Sequence, residues 1–176
     1  MTGKVPWSLY DVLVVYILRV TIGLLLVRFA MPVLFTSIPW LIDIVDRLII
    51  LALVGLVIRR CHGSFEDIGL VTKNFLVKAL WGLVAGVLLL GISIFSERLY
   101  TTMLLLSVEQ HPLVAKVQQA TSWSELAMPL FLAGLAAPVA EETLYRGFTF
   151  PVMRDRLGVL AGAVASAAIF ALLHFN

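Results

Sequence analysis

From Ala79 to Ser96 the chain carries no ionisable side chain: ALWGLVAGVLLLGISIFS. As a helix rising about 1.5 Å per residue, such a run covers most of a hydrocarbon core about 30 Å thick. Little else in the sequence narrows the fold as much. The rest of the chain agrees with it: 61% of residues are hydrophobic and 14% charged, and the mean hydropathy is +1.01. Soluble domains have about 45–50% apolar and about 25% charged residues. The solvent of this chain is therefore mostly lipid. In lipid a segment must satisfy its own backbone polar groups, so an all-α bundle follows.

Five membrane helices are expected, at roughly Ser8–Ala30, Leu41–Ile58, Val77–Phe95, Ser124–Ala140 and Leu157–Phe175. The fold class is thus a polytopic membrane helix bundle, all-α, read as one membrane domain over 1–176. Two segments are not expected to span. RRCHGSFEDIGLVTKN is a basic linker in which Ser64 and Asp67 have capping-box spacing, so a short helical turn with a satellite packing role is predicted. SERLYTTMLLLSVEQHPLVAKVQQATSW mixes Gln and charge with Leu and Val and predicts an interfacial amphipathic helix. The first apolar run contains Arg19 and Arg28 and lacks a small-x-small cleavage site, which makes it a retained helix rather than a signal peptide.

Orientation follows from Lys and Arg in the loops. With the N-terminus cytoplasmic, Lys4, Arg59, Arg60, Lys73, Lys78, Arg146, Arg154 and Arg156 all fall inside, and only Arg98 and Lys116 fall outside. The net charge of +2 gives no support for a nucleic-acid partner. The single Cys61 excludes an internal disulfide, a Cys-rich zinc site and a CxxC motif, and predicts a small packed side chain.

Within this apolar chain the stretch PVAEETLYRG stands out. On a helix Glu142 and Arg146 share a face, with Glu on the favoured N-terminal side, while Glu141 points about 100° away. One carboxylate can pair with the arginine and leave the other for chemistry. Ionised groups at membrane depth cost roughly 2.5–3.5 kcal/mol each, so they must pair, face water or sit at the rim. A partly desolvated carboxylate suits general acid–base work near neutral pH. Pro138 adds an expected kink beside it. The plainer alternative is that the fourth helix ends near Ala140 and the charges sit in cytoplasmic water. A second feature is FALLHFN, in which Phe170 and His174 lie four apart on one helical face. A lone His there reads as a packed, hydrogen-bonded residue; a His beside a Glu can hold and activate a water.

Together, EExxxR in PVAEETLYRG and FxxxH in FALLH resemble the CPBP family, which contains the type II (Ras-converting) CAAX prenyl endopeptidases and the bacteriocin-processing and immunity, or Abi, proteins. The resemblance covers Leu126–Asn176 most strongly and extends weakly to SFEDIGL; the catalytic portion is placed at 124–176. It implies that Glu141 activates a water, that His174 shares the water and shuttles its proton, that Glu142 and Arg146 support the first Glu, and that Phe170 walls the site. It implies glutamate-dependent chemistry without a bound metal. The residues agree, since there is no HExxH and the donor set does not favour zinc; no cofactor is expected. The family's third motif, HxxxN, does not occur before Asn176, and the expectation is a truncated or degenerate member. The implied partners are a peptide or lipidated protein substrate and membrane lipid; the short loops and small size, independently, lead to an expected location in a prokaryotic plasma membrane.

Three functions are weighed. The first is a CAAX-type intramembrane endopeptidase. The second is a non-catalytic scaffold or bacteriocin-immunity-type binding protein on the same fold. The third is a small transporter subunit, which predicts inverted repeats that the sequence lacks. Arg19 and Arg28, nine residues apart, lie on opposite faces of the first helix. Arg28 can snorkel to a surface. Arg19 needs a partner, Asp43 or Asp46, with Asp43 and Arg47 forming their own i,i+4 pair. These groups read as a structural network or, alternatively, as a clamp for a substrate carboxylate.

Overall fold

A computed structural model describes residues 4–30, 32, 40–71, 73–104 and 112–173. The chain forms two units, one comprising residues 1–70 with 122–176 and the other residues 71–121. Among the described residues all regular structure is helical, and the fold is an all-α membrane bundle.

In the first unit, α1 (Leu9–Leu25) starts at a capping box. The Ser8 backbone donates to Asp11 Oδ2 at 2.8 Å and Asp11 N–H donates to Ser8 Oγ at 3.4 Å. A π-helical turn, Leu26–Ala30, extends it. α2 (Trp40–Arg60) follows the second expected span closely. The fourth expected span does not stop near Ala140. It continues as α5 (Trp123–Phe131), a π segment (Leu132–Ala136), α6 (Ala137–Glu141), a second π segment (Glu142–Thr149) and α7 (Phe150–Leu157). The charged motif therefore sits inside a helix, with Arg146 about 16 Å of helix rise before Leu157. Gly158, at φ 83°, turns the chain into α8 (Val159–Leu173).

The π segments have a local cause. Each ends two residues before a proline: Ala30 before Pro32, Ala136 before Pro138, Thr149 before Pro151. A proline donates no hydrogen bond and crowds the carbonyl four residues back. A wide turn relieves that crowding. The N–H just before the proline then reaches five residues back, Ala137 to the Leu132 carbonyl and Phe150 to the Tyr145 carbonyl.

The core is a ridge-on-ridge contact of three helices. Ile50, Val54 and Ile58 of α2 and Leu144, Phe148 and Val152 of the motif helix repeat every four residues, and Val12 and Val15 of α1 join them. Lipid is as apolar as these side chains, so packing and polar contacts must hold the helices together. Trp7 stacks on Phe148 at 5.2 Å and donates its indole N–H to the Phe148 carbonyl at 2.9 Å. The Thr149 hydroxyl donates to the Leu144 carbonyl at 2.7 Å, so the Tyr16 hydroxyl at 3.1 Å donates to Thr149.

Arg19 pairs with Asp46 at 3.1 Å, one of its two expected partners. The expected Asp43–Arg47 pair is replaced: Arg47 instead meets Asp46 at 2.8 Å, so one carboxylate on α2 serves both cations. Arg28 lies over the Phe29 ring, 5.8 Å from its centroid.

One end of this unit gathers much of the basic charge. The Val5 N–H donates to Asp155 Oδ2 at 3.2 Å, and Pro6 and Trp7 pack against Gly63. These contacts bring Lys4, Arg59, Arg60, Arg154 and Arg156 to the same end. Cys61 is half-buried there against the core, and burial pushes its thiol pKa up.

The second unit holds α3 (Phe75–Leu104) and the short α4 (Pro112–Gln119). α3 is longer than expected and absorbs Ser96–Leu104, so only part of the expected interfacial segment, 112–119, forms a separate helix; residues 105–111 lie outside the described residues. By length and composition Leu9–Ala30, Phe75–Met103 and Glu125–Leu157 can cross a membrane. α2 carries Asp43, Asp46 and Arg47 within its 21 residues, and α8 is a shorter apolar helix of 15.

Candidate active site

The second π segment divides the motif helix into two faces. Leu144, Tyr145, Phe148 and Thr149 are buried in the core. Glu142 and Arg146 remain exposed on the other side, and Glu141 is half-buried. Arg146 Nη1 lies 2.9 Å from Glu142 Oε1, the i,i+4 pair that the spacing predicts.

α8 docks on this segment through two contacts to one residue. The Ser166 hydroxyl donates to the Tyr145 carbonyl at 3.1 Å, and the Phe170 ring meets the Tyr145 ring edge-on at 5.0 Å. On its other side the Tyr145 ring lies 6.1 Å from Tyr16. Ser166 and Phe170 are four apart and share one face of α8. Tyr145 and Ser166 are pocket-lining residues that the sequence pattern did not single out for the site. Their signal is weak, because each is defined by a contact across about twenty positions.

The third wall is the turn between Ser64 and Leu70. Ser64 N–H and Oγ both donate to Asp67 Oδ2, at 2.7 and 3.0 Å, so the predicted Ser–Asp pairing exists and closes a turn. Its role is larger than satellite packing. Ile68 is buried in the main core and runs so close to Gly147 that a Cβ there would stand 2.9 Å from the Ile68 carbonyl oxygen. Only a residue without a side chain allows that approach.

These three elements enclose an open pocket of about 1060 Å³. Glu141, Glu142, Arg146 and Phe170 all line it, together with Tyr145 and Ser166. Four of the five residues singled out from sequence thus face one space. The fifth, His174, lies outside the described residues. Among the described residues no three His, Cys, Asp or Glu side chains come together as a metal site. The pocket offers a carboxylate beside an ion pair among largely apolar walls, an arrangement that can deprotonate a water.

No curated protein and no solved structure matches the chain. A family model does match, described as Type II CAAX prenyl endopeptidase Rce1-like, over residues 123–176. The matched segment spans the motif helix and α8, which supply two of the pocket's three walls. Over residues 123–176, then, the chain is similar to the type II CAAX prenyl endopeptidases, and the family model supports the resemblance that EExxxR and FxxxH suggested.

Proposed function

We propose that the protein is an intramembrane endopeptidase of the CAAX-processing type. One observation carries the reading: Glu141, Glu142 and Arg146 lie within a membrane helix rather than trailing from its end, and they line one pocket with Phe170 of α8. Glu141 is the general base. It takes a proton from water as the water oxygen attacks the carbonyl carbon of a peptide bond, giving a tetrahedral oxyanion. His174, four residues after Phe170, shares that water and helps carry the proton from Glu141 to the amine nitrogen as the C–N bond breaks. The Glu142–Arg146 pair holds the turn that presents Glu141. No metal or cofactor takes part.

The substrate is a peptide or lipidated protein end presented from the cytoplasmic side. The basic end of the first unit supports a cytoplasmic N-terminus, since Lys4, Arg59, Arg60, Arg154 and Arg156 gather there. A prokaryotic plasma membrane is the proposed location.

Peptide cleavage by the purified protein in detergent tests this. Positioned general bases contribute about 10²–10⁴-fold, so Glu141→Ala and His174→Ala should each lower turnover at least about 10²-fold. Cleavage indifferent to both substitutions rejects the active site. A chain that binds peptide but never cleaves it supports the scaffold or immunity-type alternative.

A further inference from the structure

The residues of the matched segment account for the carboxylates, the arginine and the aromatic wall, yet they do not close the pocket. Ile68, Gly69 and Leu70 line it too, and they lie more than fifty positions before that segment. We infer that this turn is the specificity wall of the site, with Leu70 setting the bulk of the apolar side chain that a bound peptide can place beside Glu141. The inference rests on the reading of the pocket as a peptide site and adds to it the element that selects the peptide.

The two ends of the turn differ in a way that suits such a wall. Ile68 is pinned: its side chain is in the core at 9% exposure and its backbone is pressed against Gly147. The Ser64–Asp67 bonds close the turn before it. Leu70, two residues on, is 59% exposed while lining the pocket. A rigid base thus carries a bulky apolar side chain that nothing in the core requires. Across the pocket α8 presents Ala163 and Ala167, which leave room, and Phe170, which does not. The bulk that fits between them is decided by Leu70. Because Leu70 is not a core residue, its substitution changes the pocket without removing the packing that holds the bundle.

A peptide series identical except for one side chain, alanine, leucine, phenylalanine or naphthylalanine, tests the inference on the full chain in detergent. Each peptide carries a diazirine, and mass spectrometry maps where it labels. Leu70→Ala should raise the ratio of large to small side chains captured in the pocket about tenfold, the scale on which apolar pockets discriminate. Leu70→Trp should lower it by a similar factor. Gly147→Ala, which displaces Ile68 without touching Leu70, should also change the ratio. An unchanged ratio in all three variants overturns the inference, as does labelling that never reaches the pocket. The readout does not need cleavage. A native chain that labels but does not cleave defeats the peptidase reading while the ratio still decides the wall; a chain that cleaves with an indifferent ratio defeats the wall alone.

Discussion

Two of the charged clusters described in the helices of the first unit are built oppositely. Arg19, Asp46 and Arg47 join α1 to α2, with side chains only about a quarter exposed. Glu142 and Arg146 sit on one helix, four residues apart, with 53% and 75% of their side chains exposed. The first cluster holds two helices together and leaves its cations no other described carboxylate. Among the described residues the second pairs only within its own turn, and it lines a pocket. Similar ion pairs thus bridge two helices in one place and, in the other, stay within one helix on the wall of a pocket.

The sharpest way to break that comparison is to remove the shared carboxylate of the first cluster. Asp46→Ala leaves Arg19 and Arg47 partly buried without their acid. Breaking such a pair costs about 3–5 kcal/mol when fully buried; with a quarter of each side chain exposed, the lower end is expected. The loss should appear as a fall in the Tm of the purified protein in detergent. A Tm unchanged from the native value would make the cluster as dispensable as a surface pair.

The next largest effect is expected at Gly147, one residue after Arg146, where the pocket face meets the core. Gly147→Ala brings a Cβ to 2.9 Å from the Ile68 carbonyl oxygen and 3.0 Å from Ile68 Cβ. Backbone cannot move aside as a flexible side chain can, so overpacking should cost about 2 kcal/mol. Thr149 comes third. Thr149→Val removes the donor to the Leu144 carbonyl and the acceptor for Tyr16. The Tyr16 contact is the one that crosses helices, and such bonds average about 0.6 kcal/mol, so a loss of that order is expected, with Thr149→Ser retaining most of the native stability.

The contrast between the clusters also shows what the sequence makes readable. Helix positions are legible because charge-free runs have few other fates in lipid: Trp40–Arg60 lies within two residues of its expected bounds. The end of the fourth helix is not legible, because Glu141, Glu142 and Arg146 lower the local hydropathy and mimic a helix terminus. Pro138 signals a distortion but not its form. A π segment ends two residues before each of Pro32, Pro138 and Pro151, yet Pro129 sits inside α5 with none before it, so a proline alone does not fix the form. At the site, EExxxR is visible because charge is rare here. The Ser64–Leu70 wall, Tyr145 and Ser166 are not, because they become a site only when segments far apart in sequence pack against one another.

The smallest effect on stability, and the most telling, is expected from Glu142. Glu142→Gln removes the charge from a pair more than half exposed, and exposed i,i+4 pairs are worth about 0.3–0.5 kcal/mol. The Tm should therefore hardly move, in contrast to Asp46→Ala. Activity should respond differently, because Arg146 then faces the pocket with one carboxylate instead of two. If the pair orients the turn that presents Glu141, kcat should fall while KM stays near its native value, the signature of an interaction used in the transition state. Arg146→Lys keeps the charge and loses the planar fork, so it should lie between Glu142→Gln and the native chain. A Glu142→Gln variant that loses stability as severely as Asp46→Ala would show that the two clusters do the same job, and would remove the reason for assigning only one of them to the pocket.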